Sequence, residues 1–143
     1  MIRRDVLAAA WVSCASQALA ADGGIDPALS QAMLLERWAD AVTIVRARVQ
    51  YQPRDNPRWI RPPAQVWASR RGDCTEQAAL LAYTARAAGL RHERMAYGHA
   101  LLNGIEWHLV LVIDGWVLDP TQLASVKLLE QRPDLQNLRL IPA

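Results

Sequence analysis

The stretch RRGDCTEQAAL, Arg70 to Leu80, places a cysteine directly after a Gly-Asp pair and directly before an alanine-rich run. Gly72-Asp73 interrupts regular structure, whereas Thr75 to Ala88 is rich in strong helix formers. Gly89 follows as a helix stop signal. The pattern therefore predicts a helix that carries Cys74 in its first turn.

A thiol at a helix start has two interpretations. The unpaired backbone N–H groups and the positive end of the helix dipole stabilise a thiolate, which lowers a cysteine pKa from roughly 8.5 toward neutrality. In that position the backbone N–H of Cys74 also points at any oxyanion that forms on an attacked carbonyl. The other interpretation is that Cys74 is a small buried hydrophobe. Local sequence favours the reactive thiol.

Composition predicts one domain. The chain has 143 residues, of which 52% are hydrophobic, enough for one core and too few for two comfortable domains. Its 16 basic and 14 acidic residues are scattered, so we predict no nucleic-acid partner. No segment reaches the roughly 18 to 20 apolar residues of a membrane span. The sequence leaves the oligomeric state open.

The first twenty residues resemble an export signal. Arg3-Arg4 precedes the mostly apolar stretch Leu7 to Leu19, and Ala18-Leu19-Ala20 is typical of a cleavage site. We therefore predict a signal peptide at 1–20 and an exported, periplasmic or secreted, domain at 21–143. The alternative is an ordinary apolar first helix. Cleavage removes Cys14 and leaves Cys74 as one thiol in a compartment where cysteines are normally paired. Three explanations for an unpaired cysteine there are reactivity, an intermolecular partner and chance burial.

A second segment predicts a three-stranded meander. The apolar runs are separated by Asn103-Gly104 and Asp114-Gly115, the dipeptides favoured in two-residue hairpin turns. The three predicted strands are Met95 to Leu102, Ile105 to Ile113 and Trp116 to Leu118.

Counting register along the meander brings an imidazole to a carboxylate. With Asp114-Gly115 as the turn, Asp119 lies on the same sheet face as His108, as a diagonal neighbour about 7 to 8 Å away between Cα atoms. The first turn, counted as two residues, pairs His99 directly with His108. His99 is therefore expected as a neighbour on the same face and as the nearest rival base, whereas His92 lies in a polar stretch and is expected to be solvated.

These residues together resemble the transglutaminase-like superfamily, which includes bacterial transglutaminase-like cysteine peptidases. The resemblance rests on RRGDCTEQAALLAYTARAAGL, on Trp107-His108 and on GWVLDPT, and it spans about Trp59 to Leu123. It implies a papain-like fold with Cys74 as nucleophile, His108 as base and Asp119 as the residue that orients the imidazole. The interval between His108 and Asp119 is shorter than is usual in that family, which the tight second turn explains.

The remaining chain predicts an α+β architecture, with the cysteine-bearing helix packed on an antiparallel sheet. Asp26-Pro27 starts a long amphipathic helix that runs through Tyr51, with a break near Asp40. Pro62-Pro63 opens a short helix through Ser69. The tail is predicted to hold a short helix around Ser125 to Gln131 and an edge strand at Leu138 to Ile141.

Apolar side chains also fill one face of the predicted meander, the face opposite His108. We expect this face to be buried by the N-terminal helix or by the tail. Its members are Ala100, Leu102, Ile105, Trp107, Leu109, Leu111, Ile113, Trp116 and Leu118.

The second oxyanion donor is less well determined. Trp59 and Trp67 flank the short helix and are first of all expected as core anchors. An indole N–H, such as that of Trp67, or the side-chain amide of Gln65 is the candidate for the donor.

Two functions remain open. The first is a cysteine-dependent acyl-transfer enzyme, a peptidase, amidase or transglutaminase, that acts on protein or peptide amides with a Cys74, His108 and Asp119 triad and needs no cofactor or metal. A calcium site at Asp73 and Glu76 is a minor alternative. The second function is a catalytically inactive module of the same fold that binds a peptide or a cell-envelope partner.

Overall fold

The computed structural model describes residues 25–56, 58–121 and 125–143. The predicted export signal at 1–20 lies outside these ranges and stays a prediction. Within the described ranges, no helix has the length and apolar character needed to cross a membrane.

Two helices stand where one long helix is predicted. Helix α1, Pro27–Leu34, starts as expected, because the Asp26 side chain accepts a hydrogen bond from a backbone N–H of the first turn and proline takes the first helical position. Helix α2 is Trp38–Arg48. The break comes at Glu36, whose φ of 55° is left-handed and cannot continue a helix, rather than near Asp40.

The cysteine-bearing helix follows a short parallel pairing. Strand β1, Gln50–Tyr51, pairs with β2, Arg71–Gly72, on either side of helix α3, Pro63–Ser69. Helix α4, Cys74–Ala87, begins directly after β2. The two predicted helices of this region are therefore confirmed, and Cys74 is the first helical residue of α4.

A five-stranded antiparallel sheet makes up the rest of the chain, in the order β6-β5-β4-β3-β7. The predicted meander and the edge strand in the tail are confirmed. The predicted helix at Ser125 to Gln131 is wrong over most of its length, because this segment pairs with β5 as a strand and only then makes one 3-10 turn. The strands are β3 Met95–Leu102, β4 Glu106–Ile113, β5 Trp116–Asp119, β6 Ser125–Leu128 and β7 Leu135–Pro142.

Register is as predicted in one hairpin and shifted in the other. Leu111 pairs with Leu118 across the Asp114-Gly115 turn, which confirms the count. In the first hairpin Asn103 and Gly104 have the predicted positive φ angles, 53° and 71°. Ile105 is an extra residue after them, however, so the β3–β4 pairing is displaced by one residue from the predicted register. A displacement of one residue reverses which side chains share a face.

Each sheet face is buried by a different part of the chain. Leu111, Ile113 and Leu118 pack in the main core with the helices, which confirms part of the predicted apolar face. The predicted burial of Ile105 and Trp107 is wrong, because both lie at the exposed end of the hairpin. Ala100 and Leu102 lie instead on the His108 face, because of the register shift. There they form a second core with β4, β5 and β7 residues, and Leu129, from the connection between β6 and β7, packs against it. That connection therefore crosses the face on which His108 lies.

Candidate active site

The start of α4 is fixed by its own side chains. The Asp73 carboxylate accepts a hydrogen bond from the Glu76 backbone N–H at 2.9 Å, and the Glu76 carboxylate accepts one from the Asp73 backbone N–H at 3.3 Å. This reciprocal cap satisfies two N–H groups of the helix start. Cys74 is a half-buried free thiol held at the first helical position between them.

His108 and Asp119 meet on adjacent strands. The His108 Nε2 and Asp119 Oδ2 atoms are 2.9 Å apart, and the two side chains are only 6% and 1% exposed. This is the diagonal cross-strand contact that the second hairpin register predicts. Because Nε2 is engaged by the carboxylate, Nδ1 is the ring nitrogen left for the thiol.

Cys74, His108 and Asp119 change one another's pKa values. Burial raises the pKa of Cys74, but a hydrogen bond with His108, another with the Leu109 backbone and the His108 charge outweigh it, and the pKa is lowered overall. Burial lowers the pKa of His108, yet hydrogen bonds with Asp119 and Cys74 raise it to about 9. The arrangement favours a thiolate next to an imidazolium.

Asp119 is saturated with donors. Its Oδ1 accepts hydrogen bonds from the Thr121 hydroxyl at 2.7 Å and from the Thr121 backbone N–H at 3.2 Å. Its Oδ2 accepts from His108 and from both terminal nitrogens of Arg132, each at 3.2 Å. Burial raises the pKa of Asp119, but the His108 hydrogen bond and charge, Thr121 and Arg132 lower it overall. The carboxylate is therefore charged and fixed in position.

Arg132 is the site residue that sequence reasoning misses. It is buried in the connection between β6 and β7, which brings it across the sheet face to Asp119, and it also pairs with Asp134 at 2.9 Å. No local motif marks it, because its role depends on the path of this connection. A basic residue that follows a strand is ordinarily expected in solvent.

The structure corrects the placement of His99. His99 pairs with Leu109 rather than with His108, and Ala100 takes the position opposite His108. The physical reason is the extra residue Ile105, which moves His99 to the other sheet face. There its ring stacks on Trp107 with 4.5 Å between centroids and an interplanar angle of 22°. His99 is therefore not a neighbour of the His108 ring on the same sheet face.

A cavity of about 240 Å³ opens onto the thiol, and we call it the Cys74 cavity. Its lining is formed by Tyr51, Cys74, Glu106, Trp107, His108 and Thr121. Neither of the two predicted oxyanion donors lines it. Trp67 is buried beneath the Arg48 guanidinium, and Gln65 lines a separate cavity of about 320 Å³. Trp67 is a core anchor as expected, whereas Trp59 is 72% exposed and is not one.

The carboxylates beside the cysteine do not fit a calcium site. Asp73 Oδ2 is 2.5 Å from Arg54 Nε, and the Glu76 carboxylate accepts hydrogen bonds from the backbone and side chain of Arg61. Ca²⁺ needs six to eight oxygen ligands, whereas these oxygens are taken by guanidinium groups. In the part of the chain that the structure describes, no three His, Cys, Asp or Glu side chains are grouped as metal ligands.

Three solved structures of one protein share this fold. Legionella pneumophila LapG aligns with a TM-score of 0.66 at 16% identity, covering 80% of this chain and 75% of that chain. An EGTA-treated form of the same protein aligns with a TM-score of 0.66 at 16% identity, covering 77% of this chain and 66% of that chain. A calcium-bound form aligns with a TM-score of 0.65 at 16% identity, covering 77% of this chain and 68% of that chain. At this identity the likeness establishes the fold alone.

Sequence comparison places the chain in a family. No curated protein matches it significantly. The profile of the transglutaminase-like superfamily, however, matches residues 18–117, well over half of the chain. That match includes α4 with Cys74 and β4 with His108. Profile and fold agree, and the chain belongs to the transglutaminase-like superfamily.

Proposed function

We propose that this protein is a cysteine-dependent acyl-transfer enzyme that acts on amide bonds of proteins or peptides. The observation that carries the proposal is the position of His108, which contacts the Asp119 carboxylate through Nε2 and lines one cavity with the Cys74 thiol. Covalent amide chemistry requires a nucleophile, a base and a group that orients the base, arranged in one line.

The first half of the reaction forms an acyl-enzyme. The Cys74 thiolate attacks the carbonyl carbon, and the oxyanion that forms is met by the Cys74 backbone N–H at the start of α4. The His108 imidazolium then gives its proton to the departing nitrogen, the C–N bond breaks, and an amine leaves. Asp119 keeps the imidazole ring oriented and stabilises its charged form. The product is a thioester on Cys74.

The second half returns the free enzyme. Neutral His108 takes a proton from water, and the oxygen attacks the thioester carbon. The C–S bond breaks, the carboxylic acid leaves, and Cys74 is a thiolate again beside an imidazolium. An amine in place of water would give transamidation. Hydrolysis is the proposed outcome because water is the default acceptor, which makes the protein a peptidase or amidase.

The alternative is an inactive module that uses the same cleft for binding. That alternative predicts a separated cysteine and histidine with another side chain between them. The presence of Cys74 and His108 together in the lining of one cavity supports the active form, and so does the lowered pKa of Cys74 beside His108. We also propose that the domain is exported, on the strength of residues 1–20.

Alkylation of Cys74 tests the proposal without a known substrate. Cys14→Ser leaves Cys74 as the single reporter, and iodoacetamide is applied at pH 6 to this variant, to its His108→Ala derivative and to a free thiol peptide. We expect the variant with His108 to react much faster than the peptide and the His108→Ala derivative to lose most of this advantage. Labelling no faster than the peptide would overturn the activated thiolate and with it the proposed enzyme.

A further inference from the structure

Glu106 is the carboxylate at the mouth of the Cys74 cavity that remains uncompensated. It is exposed at the start of β4, two residues before His108 and on the same sheet face, and it lines the cavity with the thiol. Among the residues that the structure describes, no ion pair includes it. Its charge is therefore directed at solvent and at whatever enters the cavity.

The other charges around the cavity cancel in pairs. The Cys74 thiolate is matched by the His108 imidazolium, and Asp119 by Arg132. Glu106 is thus the carboxylate of the cavity lining, and no ion pair among the described residues neutralises it. Burial, and then the nearby charges of Cys74, Asp73 and Glu106, raise the pKa of the Tyr51 hydroxyl, which faces the same cavity.

Two aromatic rings are presented at the same mouth. Tyr51 and Trp107 line the cavity and are 54% and 57% exposed. The Trp107 ring is held by its stack on His99, 4.5 Å away, so its outer face is fixed although it is open to solvent. Fixed, exposed aromatic faces next to a carboxylate attract cations, because the ring quadrupole and the carboxylate act on them with the same sign.

We infer that the site selects substrates with a lysine or arginine beside the scissile amide, bound by Glu106 and by the exposed rings of Tyr51 and Trp107. This inference rests on the proposed function and adds a substrate class to it. Glu106 and Trp107 are then specificity-determining residues. The extra residue Ile105 contributes too, because it sets the register that puts Trp107 on the His99 face.

Methanethiosulfonate reagents of different charge test the electrostatic potential at Cys74. The Cys14→Ser protein and a free thiol peptide are each treated with the neutral methyl, the cationic 2-(trimethylammonio)ethyl and the anionic 2-sulfonatoethyl methanethiosulfonates. The quantity compared is the ratio of cationic to anionic rate, divided by the same ratio for the peptide. We expect a normalised ratio of roughly ten or more, from one nearby carboxylate and two ring faces.

Substitutions then identify which side chains produce the preference for the cationic reagent. Glu106→Gln is expected to lower it several-fold, and Trp107→Leu to lower the cationic rate while leaving the anionic rate nearly unchanged. The matched control is Glu130→Gln, an exposed carboxylate outside the cavity lining, which should leave the ratio unchanged. The neutral reagent reports the activation of Cys74 by itself, so loss of the proposed enzyme and loss of the cation preference give different results.

Cleavage of a peptide library supplies the second measurement. Peptides that place lysine, arginine, norleucine or glutamate on either side of each amide are incubated with the protein and with Glu106→Gln, and the cleaved bonds are identified by mass spectrometry. We expect roughly tenfold enrichment of lysine and arginine at one position next to the cleaved bond, reduced in Glu106→Gln. A normalised reagent ratio near one, or cleavage with no basic preference, would overturn the inference and leave the acyl-transfer proposal intact.

Discussion

Arg132 and Asp119 form a buried ion pair in which both terminal guanidinium nitrogens lie 3.2 Å from the carboxylate oxygen that also binds His108. The carboxylate that orients the imidazole is therefore itself oriented. Arg132 in the β6–β7 connection is thus linked through Asp119 to His108, which lines the cavity with Cys74.

Arg132→Met is expected to be destabilising, because it leaves the Asp119 charge less compensated in a buried site. Removing one partner of a buried pair costs roughly 3 to 5 kcal/mol of unfolding free energy. Since His108 and Thr121 still bind the carboxylate, we expect the lower end of this range. Urea unfolding checks it, with the exposed Arg139→Met as control. Equal stability of both variants would show that Asp119 does not need Arg132.

Asp119→Asn should still fold, with some loss of stability because Arg132 keeps only Asp134 as a partner, and it should weaken the activation of Cys74. Without the carboxylate the imidazolium is less stable, so the thiolate loses its counter-charge. The pH midpoint for alkylation of Cys74 should rise, and rise further in His108→Ala. Turnover of an amide substrate should fall by up to ~10⁴-fold by analogy with serine triads, or by less if asparagine orients the ring. Unchanged midpoints in both variants would remove the triad from the mechanism.

Stability should depend on pH through His108. Its pKa is raised in the folded protein to about 9. A raised pKa stabilises the fold fully below the unfolded value of roughly 6.5, and this contribution is lost as pH rises toward the folded value. In Cys74→Ser, which removes the opposing titration of the thiol, the free energy of unfolding should fall by at most about 3 kcal/mol from pH 6 to pH 9. The same scan on Cys74→Ser with His108→Gln should lack this slope.

The arginine pairs at the start of α4 should make its stability independent of calcium. Arg61→Gln leaves Glu76, a side chain with no exposure, short of its cation. We expect a loss of about 2 kcal/mol, less than for a fully buried pair because the Arg61 side chain is 25% exposed. Wild-type melting in excess EGTA and in millimolar CaCl₂ should coincide. A calcium-dependent rise in melting temperature would show instead that a cation replaces the arginines.

The sequence predicts those parts of the site whose signals are local. The Gly72-Asp73 break and the alanine-rich run place Cys74 at a helix start, and the Asp114-Gly115 turn with period-two counting brings Asp119 to His108. The same counting fails for His99, because nothing in Asn103-Gly104 announces that Ile105 adds a residue.

Distance along the chain explains the other misses. The segment at Ser125 to Leu128 has the composition of a short helix, yet pairing with β5 makes it a strand. Arg132 contacts Asp119 only because the connection from β6 to β7 runs across the sheet. Gln65 stands close to the cysteine in sequence, but its helix directs it to the neighbouring cavity. Contacts that depend on the path of the chain through the fold cannot be predicted from the spacing of residues in the sequence.

The crossing of the β6–β7 connection also makes the site around the thiol depend on a distant part of the chain. In an unfolded or partly made chain, Cys74 is an ordinary cysteine with an ordinary pKa. His108, Asp119 and Arg132 follow it along the chain, and Arg132 lies in the connection that precedes the edge strand β7. The buried contacts that hold His108 in the cavity with the thiol are therefore complete only when the β6–β7 connection lies across the sheet.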